Sequence, residues 1–251
     1  MMEYYINPDG TRTRIREAMY YITGLNPHMR KNLDLCRKAV ELGHPIILLV
    51  DGGLHTGKTN SAITMARYFQ PDFDFNKQVG RGIDQFAEAW NHTINMKTDF
   101  EAKICVFDEA QTFNRRGAMT KLNRAMDEFF STHRHNKVML IFCLPHFRVL
   151  DKSIYDTDAV IGLIHMEFIK KQYADYRQYD AYQIAYMNDI LENENKAKNR
   201  NRKLIYNRAG FVPWGHIRLP EDFKQIAKSS NIGKNIIQSK TLKAMTTNSS
   251  Q

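Results

Sequence analysis

The residues best equipped for chemistry lie in one run, Gly52-Gly53-Leu54-His55-Thr56-Gly57-Lys58-Thr59, which fits the spacing G-x-x-x-x-G-K-[ST] at every fixed position. Glycines let a backbone wrap closely around phosphate oxygens. Successive N–H groups and the positive end of a following helix then point at the anion. In such a loop Lys58 adds a point charge for the β- and γ-phosphates, and the Thr59 hydroxyl is placed to ligate Mg²⁺. Gly52 through Asn60 are therefore the candidate nucleotide contacts, with His55 read more simply as a solvent-facing spacer. The plain alternative is a glycine-rich turn. Context argues against it: Ile46 to Val50 is a continuous β-prone run just before the loop, and a helical pattern from about Lys58 to Tyr68 follows.

A second run, Ile104-Cys105-Val106-Phe107-Asp108-Glu109-Ala110, has four apolar residues ending in two carboxylates. An Asp at the end of a buried strand beside a phosphate loop can hold the Mg²⁺ water shell. A Glu one residue later projects differently and can polarise a water for attack on the γ-phosphate. The alternative is that Asp108 and Glu109 merely cap the strand. The adjacent carboxylate favours hydrolysis over phosphoryl transfer, since no acceptor site for a second substrate is evident. These two runs point to ATP and Mg²⁺ as cofactors and to the P-loop NTPases with an additional catalytic Glu. Such folds set a further strand between the loop strand and the Asp-bearing one. Val138 to Cys143 is the candidate, because it ends in Leu144-Pro145-His146 at the height of a γ-phosphate sensor. His146 fits that role, and fits a turn or helix-start histidine beside a proline equally well.

The elements that must position these residues alternate. A helix is expected from Asn26-Pro27 to Gly43 on the spacing of Leu33, Cys36 and Val40, and another on Ile83, Phe86, Trp90 and Ile94. A helix over Met119 to Thr132 precedes the third strand, and Ala159 to His165 reads as a fourth. The fold class expected is α/β, a P-loop NTPase (RecA-like, ASCE) with a mainly parallel sheet flanked by helices and a basic C-terminal extension. The division expected is a segment and helix over 1–44, the ATPase core over 45–168, a Tyr-rich and basic extension over 169–228 packing on the core, and a polar tail over 229–251 with the composition of a disordered segment. Tyr173, Tyr176, Tyr179, Tyr182 and Tyr186 share one face if Lys170 to Tyr186 is helical. Phe211 to Pro220 reads as extended chain returning to a core.

Composition excludes several classes. With 251 residues, 43% hydrophobic and 25% charged, the chain can build an ordinary globular core. Its apolar runs are far short of the ~20 residues of a bilayer span, and the N-terminus lacks the order of a signal peptide. A cytoplasmic protein is expected, or one of host cytoplasm or virion if viral. Cys36, Cys105 and Cys143 lack CxxC spacing and read as packed thiols. The net charge of +9 is unevenly placed: residues 196–251 hold 12 Lys/Arg against only Glu221 and Asp222. That segment has the composition of a surface gripping a polyanion backbone, or of a solvated tail.

DEAQTFNRRG, the run Phe129-Phe130-Ser131-Thr132-His133-Arg134-His135-Asn136, the strand VMLIFCLP and Val149-Leu150-Asp151-Lys152 together resemble the HerA/FtsK-type motor ATPases, in the flavour of the Zot-like and viral genome-packaging branches. The resemblance covers roughly residues 45–168. It implies an ATP-hydrolysing homo-oligomeric ring that translocates or packages double-stranded DNA, with an arginine from the neighbouring subunit completing each site. Arg134 is the first candidate for that arginine, with Arg115, Arg116, Arg124 and Arg148 behind it; for any single one of them a surface ion pair is the plainer reading. The chain departs from the pattern in having Leu144-Pro145-His146 where such motors commonly carry Gln, and in lacking the membrane span usual in phage Zot-type proteins. The alternatives are an ATPase powering virion assembly or protein export, with a membrane or capsid portal as partner, and a nucleotide-gated binding module.

Overall fold

The structure, a computed structural model, describes residues 4–6, 12–14, 23–108, 135–150, 158–170, 173–196 and 214–219. A short hairpin, β1 (Tyr4–Ile6) and β2 (Arg12–Arg14), stands apart from the main sheet. Helix α1 (Pro27–Glu41) starts where a proline at the first position and an Asx cap would start it, with the Asn26 side chain accepting from the Met29 N–H at 2.9 Å. Its buried residues, Met29, Leu33, Cys36 and Val40, recur at the helical spacing expected.

Strand β3 (Ile46–Gly52) leads through the glycine-rich loop into α2 (Lys58–Phe69). A short helix α3 (Phe75–Gln78) and a three-residue strand β4 (Val79–Arg81) precede α4 (Gly82–Asn95). Then come β5 (Lys103–Asp108), β6 (Val138–Leu144), β7 (Val160–Lys170), β8 (Tyr173–Asp180), α5 (Ala181–Lys196) and β9 (Trp214–Arg218). Seven strands form one sheet in the order β4-β5-β6-β3-β7-β8-β9. The first five run parallel, and β8 and β9 continue the sheet antiparallel.

Each central strand is apolar on both faces because helices cover both. Leu48, Val50, Val106 and Ile141 join Leu33, Ile63 and Phe69 of α1 and α2 on one side. Ile47, Leu49, Phe107 and Phe142 meet Phe86 of α4 and Met187 of α5 on the other. Phe86 stacks on Phe107 with ring centroids 4.5 Å apart, and Phe142 meets both rings edge-on.

The Tyr-rich segment departs from its helical expectation. Tyr173 to Asp180 is a strand, so residues three apart fall on opposite faces of the sheet. Tyr176 is buried in the core beneath α1 and α2, and Tyr179 in the core beneath α5. The strand wins because β7 offers a free edge and both rings find an apolar layer. The helix begins only at Ala181, which leaves Tyr182 and Tyr186 exposed. Trp214–Arg218 is extended as expected and pairs with β8. The helix expected over Met119 to Thr132 lies outside the described residues.

All three cysteines are free and buried. Burial pushes the Cys105 thiol up to about 12, against a smaller lowering by its Thr93 hydrogen bond, and burial pushes Cys36 up to about 11. The thiolate is the reactive species. Ellman's reagent at pH 8 is therefore expected to leave the native protein untouched and to titrate all three thiols in denaturant; a fast-reacting thiol in the native state would contradict this packing. Among the described residues no helix is long and apolar enough to cross a membrane.

Candidate nucleotide-binding site

The loop between β3 and α2 has the backbone of an anion cradle. Gly52 has φ +146°, and a Cβ there would lie 2.4 Å from the Met166 carbonyl oxygen of β7. Gly57 caps α2 in the left-handed region, φ 83° and ψ 17°, which turns the chain sharply into the first helical residue, Lys58. His55 is also left-handed, φ 59°, and points outward with Leu54, which is 86% exposed. Buried Thr56 closes the loop by donating from Oγ1 to the Gly53 carbonyl at 3.0 Å. Lys58 folds back over it, its Nζ donating to the carbonyls of Gly52 at 2.8 Å and Gly53 at 2.5 Å. The ammonium is thereby held over the mouth of the loop. Asn60 is buried in the first turn of α2, and its Oδ1 has no hydrogen-bond donor among the described residues.

Asp108 ends β5 with its side chain 3% exposed. Its Oδ1 accepts from the Thr59 hydroxyl at 2.8 Å. That spacing is an ordinary O–H···O bond. A hydroxyl and a carboxylate side by side at the mouth of the loop are the hard oxygen donors that Mg²⁺ takes, so a nucleotide with Mg²⁺ fits this end of the sheet. On the other side of Asp108, Arg81 of β4 places Nε 3.7 Å from Oδ2.

Two strands do this work from a distance. The loop strand β3 and the Asp-bearing β5 are not neighbours, since β6 lies between them. An inserted strand between a phosphate loop and its metal-side Asp, in a parallel sheet covered by helices on both faces, is the arrangement expected above. The chain has the P-loop NTPase fold. Among solved structures, the N-terminal domain of zonular occludens toxin from Neisseria meningitidis is similar at TM-score 0.41, with 16% identity over 71% of this chain and 96% of that one. Rhizobiales Trip13 gives 0.40, with 16% identity over 66% and 69%. The genome packaging NTPase B204 from Sulfolobus turreted icosahedral virus 2, solved in complex with AMPPCP, gives 0.37, with 14% identity over 56% and 94%. The first and third stand in the two branches that the motifs resemble. At these identities and scores the likenesses assign no function, and the fold assignment rests on the strand order and the loop. No family description and no curated protein matches the sequence.

His146 follows β6 at the end of the sheet that carries the loop. It caps the 3₁₀ turn Phe147–Val149, its Nδ1 accepting from the Arg148 N–H at 3.2 Å and its ring stacking on Phe147. This is the turn-histidine geometry, next to the site in the sheet order. Glu109, Arg134, Arg115, Arg116 and Arg124 lie outside the described residues; Arg148 sits in the turn after His146.

Two residues of this end were not singled out from the sequence. Asp51, fully buried just before Gly52, accepts from the Phe147 N–H at 3.0 Å and meets His165 Nδ1 of β7 at 2.7 Å. One carboxylate thus ties the loop strand to the His146 turn and to β7. A charged residue closing an apolar run was visible in IILLVD, but nothing local says that it points inward. Arg81 sits on a strand too short to show any periodicity.

Proposed function

We propose that this chain is a Mg²⁺-dependent ATP hydrolase that works as a ring of copies of itself and drives double-stranded DNA. The observation that carries the hydrolase reading is the Thr59–Asp108 contact at 2.8 Å beside a lysine-capped phosphate loop. In this reading the backbone N–H groups of Gly52 to Asn60 bind the phosphates, and Lys58 exchanges its loop carbonyls for β- and γ-phosphate oxygens. Thr59 and Asp108 would hold Mg²⁺, which would supply positive charge against that developing on the phosphates. Glu109, next in the chain, orients and deprotonates the attacking water. His146 reads the terminal phosphate from the neighbouring strand, and Arg134 enters the site of an adjacent subunit.

The DNA reading is supported by the resemblance and by the basic segment 196–251, with 12 Lys/Arg against two acids. Phosphate neutralisation by such a segment releases counterions and gives sequence-independent affinity that falls steeply with salt. The test is γ-phosphate release with and without duplex DNA, alongside particle size in ATP. Duplex DNA is expected to raise turnover several-fold, DNA retention to vanish as salt rises, and Glu109→Gln to stop release while ATP still binds. Turnover indifferent to DNA, with no retention at low salt, overturns the DNA reading and leaves the hydrolase. Absence of any release overturns both.

A further inference from the structure

Arg81 is held in an unusual state for an arginine at a sheet edge. Its side chain is 13% exposed, and its Nε and Nη2 are buried with no hydrogen-bond partner among the described residues. Burying a donor without an acceptor forfeits its hydration and gains nothing in return. The Asp108 carboxylate is its ionic neighbour, yet at 3.7 Å from Nε that contact is too long to satisfy the N–H. The guanidinium instead rests near the Phe75 ring, Cζ 5.3 Å from the centroid.

Its backbone is paired in the sheet while two of its guanidinium N–H groups are not. Arg81 stands directly opposite Asp108 in the parallel β4–β5 ladder, and its own N–H donates to the Gln85 side chain at 3.3 Å. The side chain also borders a cavity of about 370 Å³ lined by Asn76 and Lys77 of α3 and Gln85, Glu88 and His92 of α4. A rigid strand thus presents two dry, unsatisfied N–H groups beside the carboxylate that faces Thr59. Donors in that state are completed by a charged acceptor arriving at the metal end of the site. Phosphate oxygens are such an acceptor, and guanidinium matches them with a fork of parallel N–H groups.

We infer that Arg81 is a nucleotide-binding residue acting within its own subunit, donating to the terminal phosphate of a nucleoside triphosphate and so distinguishing it from the diphosphate. This rests on the reading of the loop as a nucleotide site. It adds to that reading a cation on the β4 side of Asp108, so that the third phosphate is gripped by Lys58 at the start of α2 and by Arg81 at the end of β4, both of one chain.

The experiment measures the affinities of AMPPCP and ADP, both with Mg²⁺, for the full chain and for Arg81→Gln and Arg81→Lys. For the wild-type chain both ligands bind. Arg81→Gln is expected to weaken AMPPCP by about 10- to 100-fold, the range of a lost hydrogen bond to a charged group, and ADP by less than twofold. Arg81→Lys, which keeps the charge but not the fork, falls between. The unchanged ADP affinity also reports that the variant is folded. Equal weakening of both ligands would make Arg81 a support for Asp108 and overturn the inference, as would no change in either. A wild-type chain that binds neither nucleotide overturns the nucleotide reading itself, and this inference with it.

Discussion

Replacing Lys58 with alanine is expected to lower kcat/KM for γ-phosphate release by about 10²–10³-fold, the range for removing one preorganised contact to developing charge. The amine is positioned before any ligand arrives: its Nζ is held by the carbonyls of Gly52 and Gly53, so no search is needed to bring it to the phosphates. A positioned charge in a partly dry loop stabilises the transition state more than the same charge in water. Gly53 is exposed and its carbonyl finds water when the amine is gone, whereas Gly52 is buried and its carbonyl loses a partner. The melting temperature of Lys58→Ala should therefore fall by a few degrees at most. Lys58→Arg should not rescue, because a planar fork cannot occupy the place of a compact ammonium. Retention of release within tenfold of the unaltered chain would mean that the loop does not hold the reacting phosphate.

Gly52→Ala is expected to be strongly damaging although it adds a single carbon. At φ +146° an L residue is strained, and the added Cβ would stand 2.4 Å from the Met166 backbone oxygen and 2.8 Å from Thr56 Oγ1. Neither neighbour gives easily: Met166 is registered opposite Gly52 in the β3–β7 ladder, and Thr56 Oγ1 already bonds to the Gly53 carbonyl. The cost is roughly 3 kcal/mol, from backbone strain together with displacement of the strand. In a chain of this size that lowers the melting temperature by roughly 6–12 °C. Gly53→Ala is the matched control. Its Cβ would meet only Thr56 Cγ2 at 3.7 Å, an ordinary contact, and its φ lies outside the left-handed region. Thermal unfolding of the two variants side by side checks this, and comparable losses in both would show that the loop is not locked by β7.

The loop and its flanks were legible because their signals are local. Gly52 to Thr59 is a contiguous pattern, and the runs IILLV, ICVF and VMLIFC are long enough to declare strands buried on both faces. Placing β6 between β3 and β5 also followed from sequence, but only with knowledge of how such folds are built. The tyrosine series is ambiguous in sequence for a physical reason. A spacing of three is ambiguous between a helix face and alternate faces of a strand, and the free edge of β7 decided it. Arg81 and Asp51 were not legible because their importance lies in residues 27 and 114 positions away, Asp108 and His165.

The sequence by itself determined the chemistry available: a glycine-rich loop of the G-x-x-x-x-G-K-[ST] pattern, a lysine, a hydroxyl and an Asp-Glu pair, each encoded by neighbours along the chain. Tertiary structure decided their meeting. Thr59 and Asp108 come within 2.8 Å only because β6 sets the spacing of β3 and β5, and Arg81 faces Asp108 only through the β4–β5 register. Local propensity selects helices and strands at the cost of a few residues' freedom. Which strands lie side by side is set by the burial of whole faces, a sum over distant residues that no short window of sequence contains.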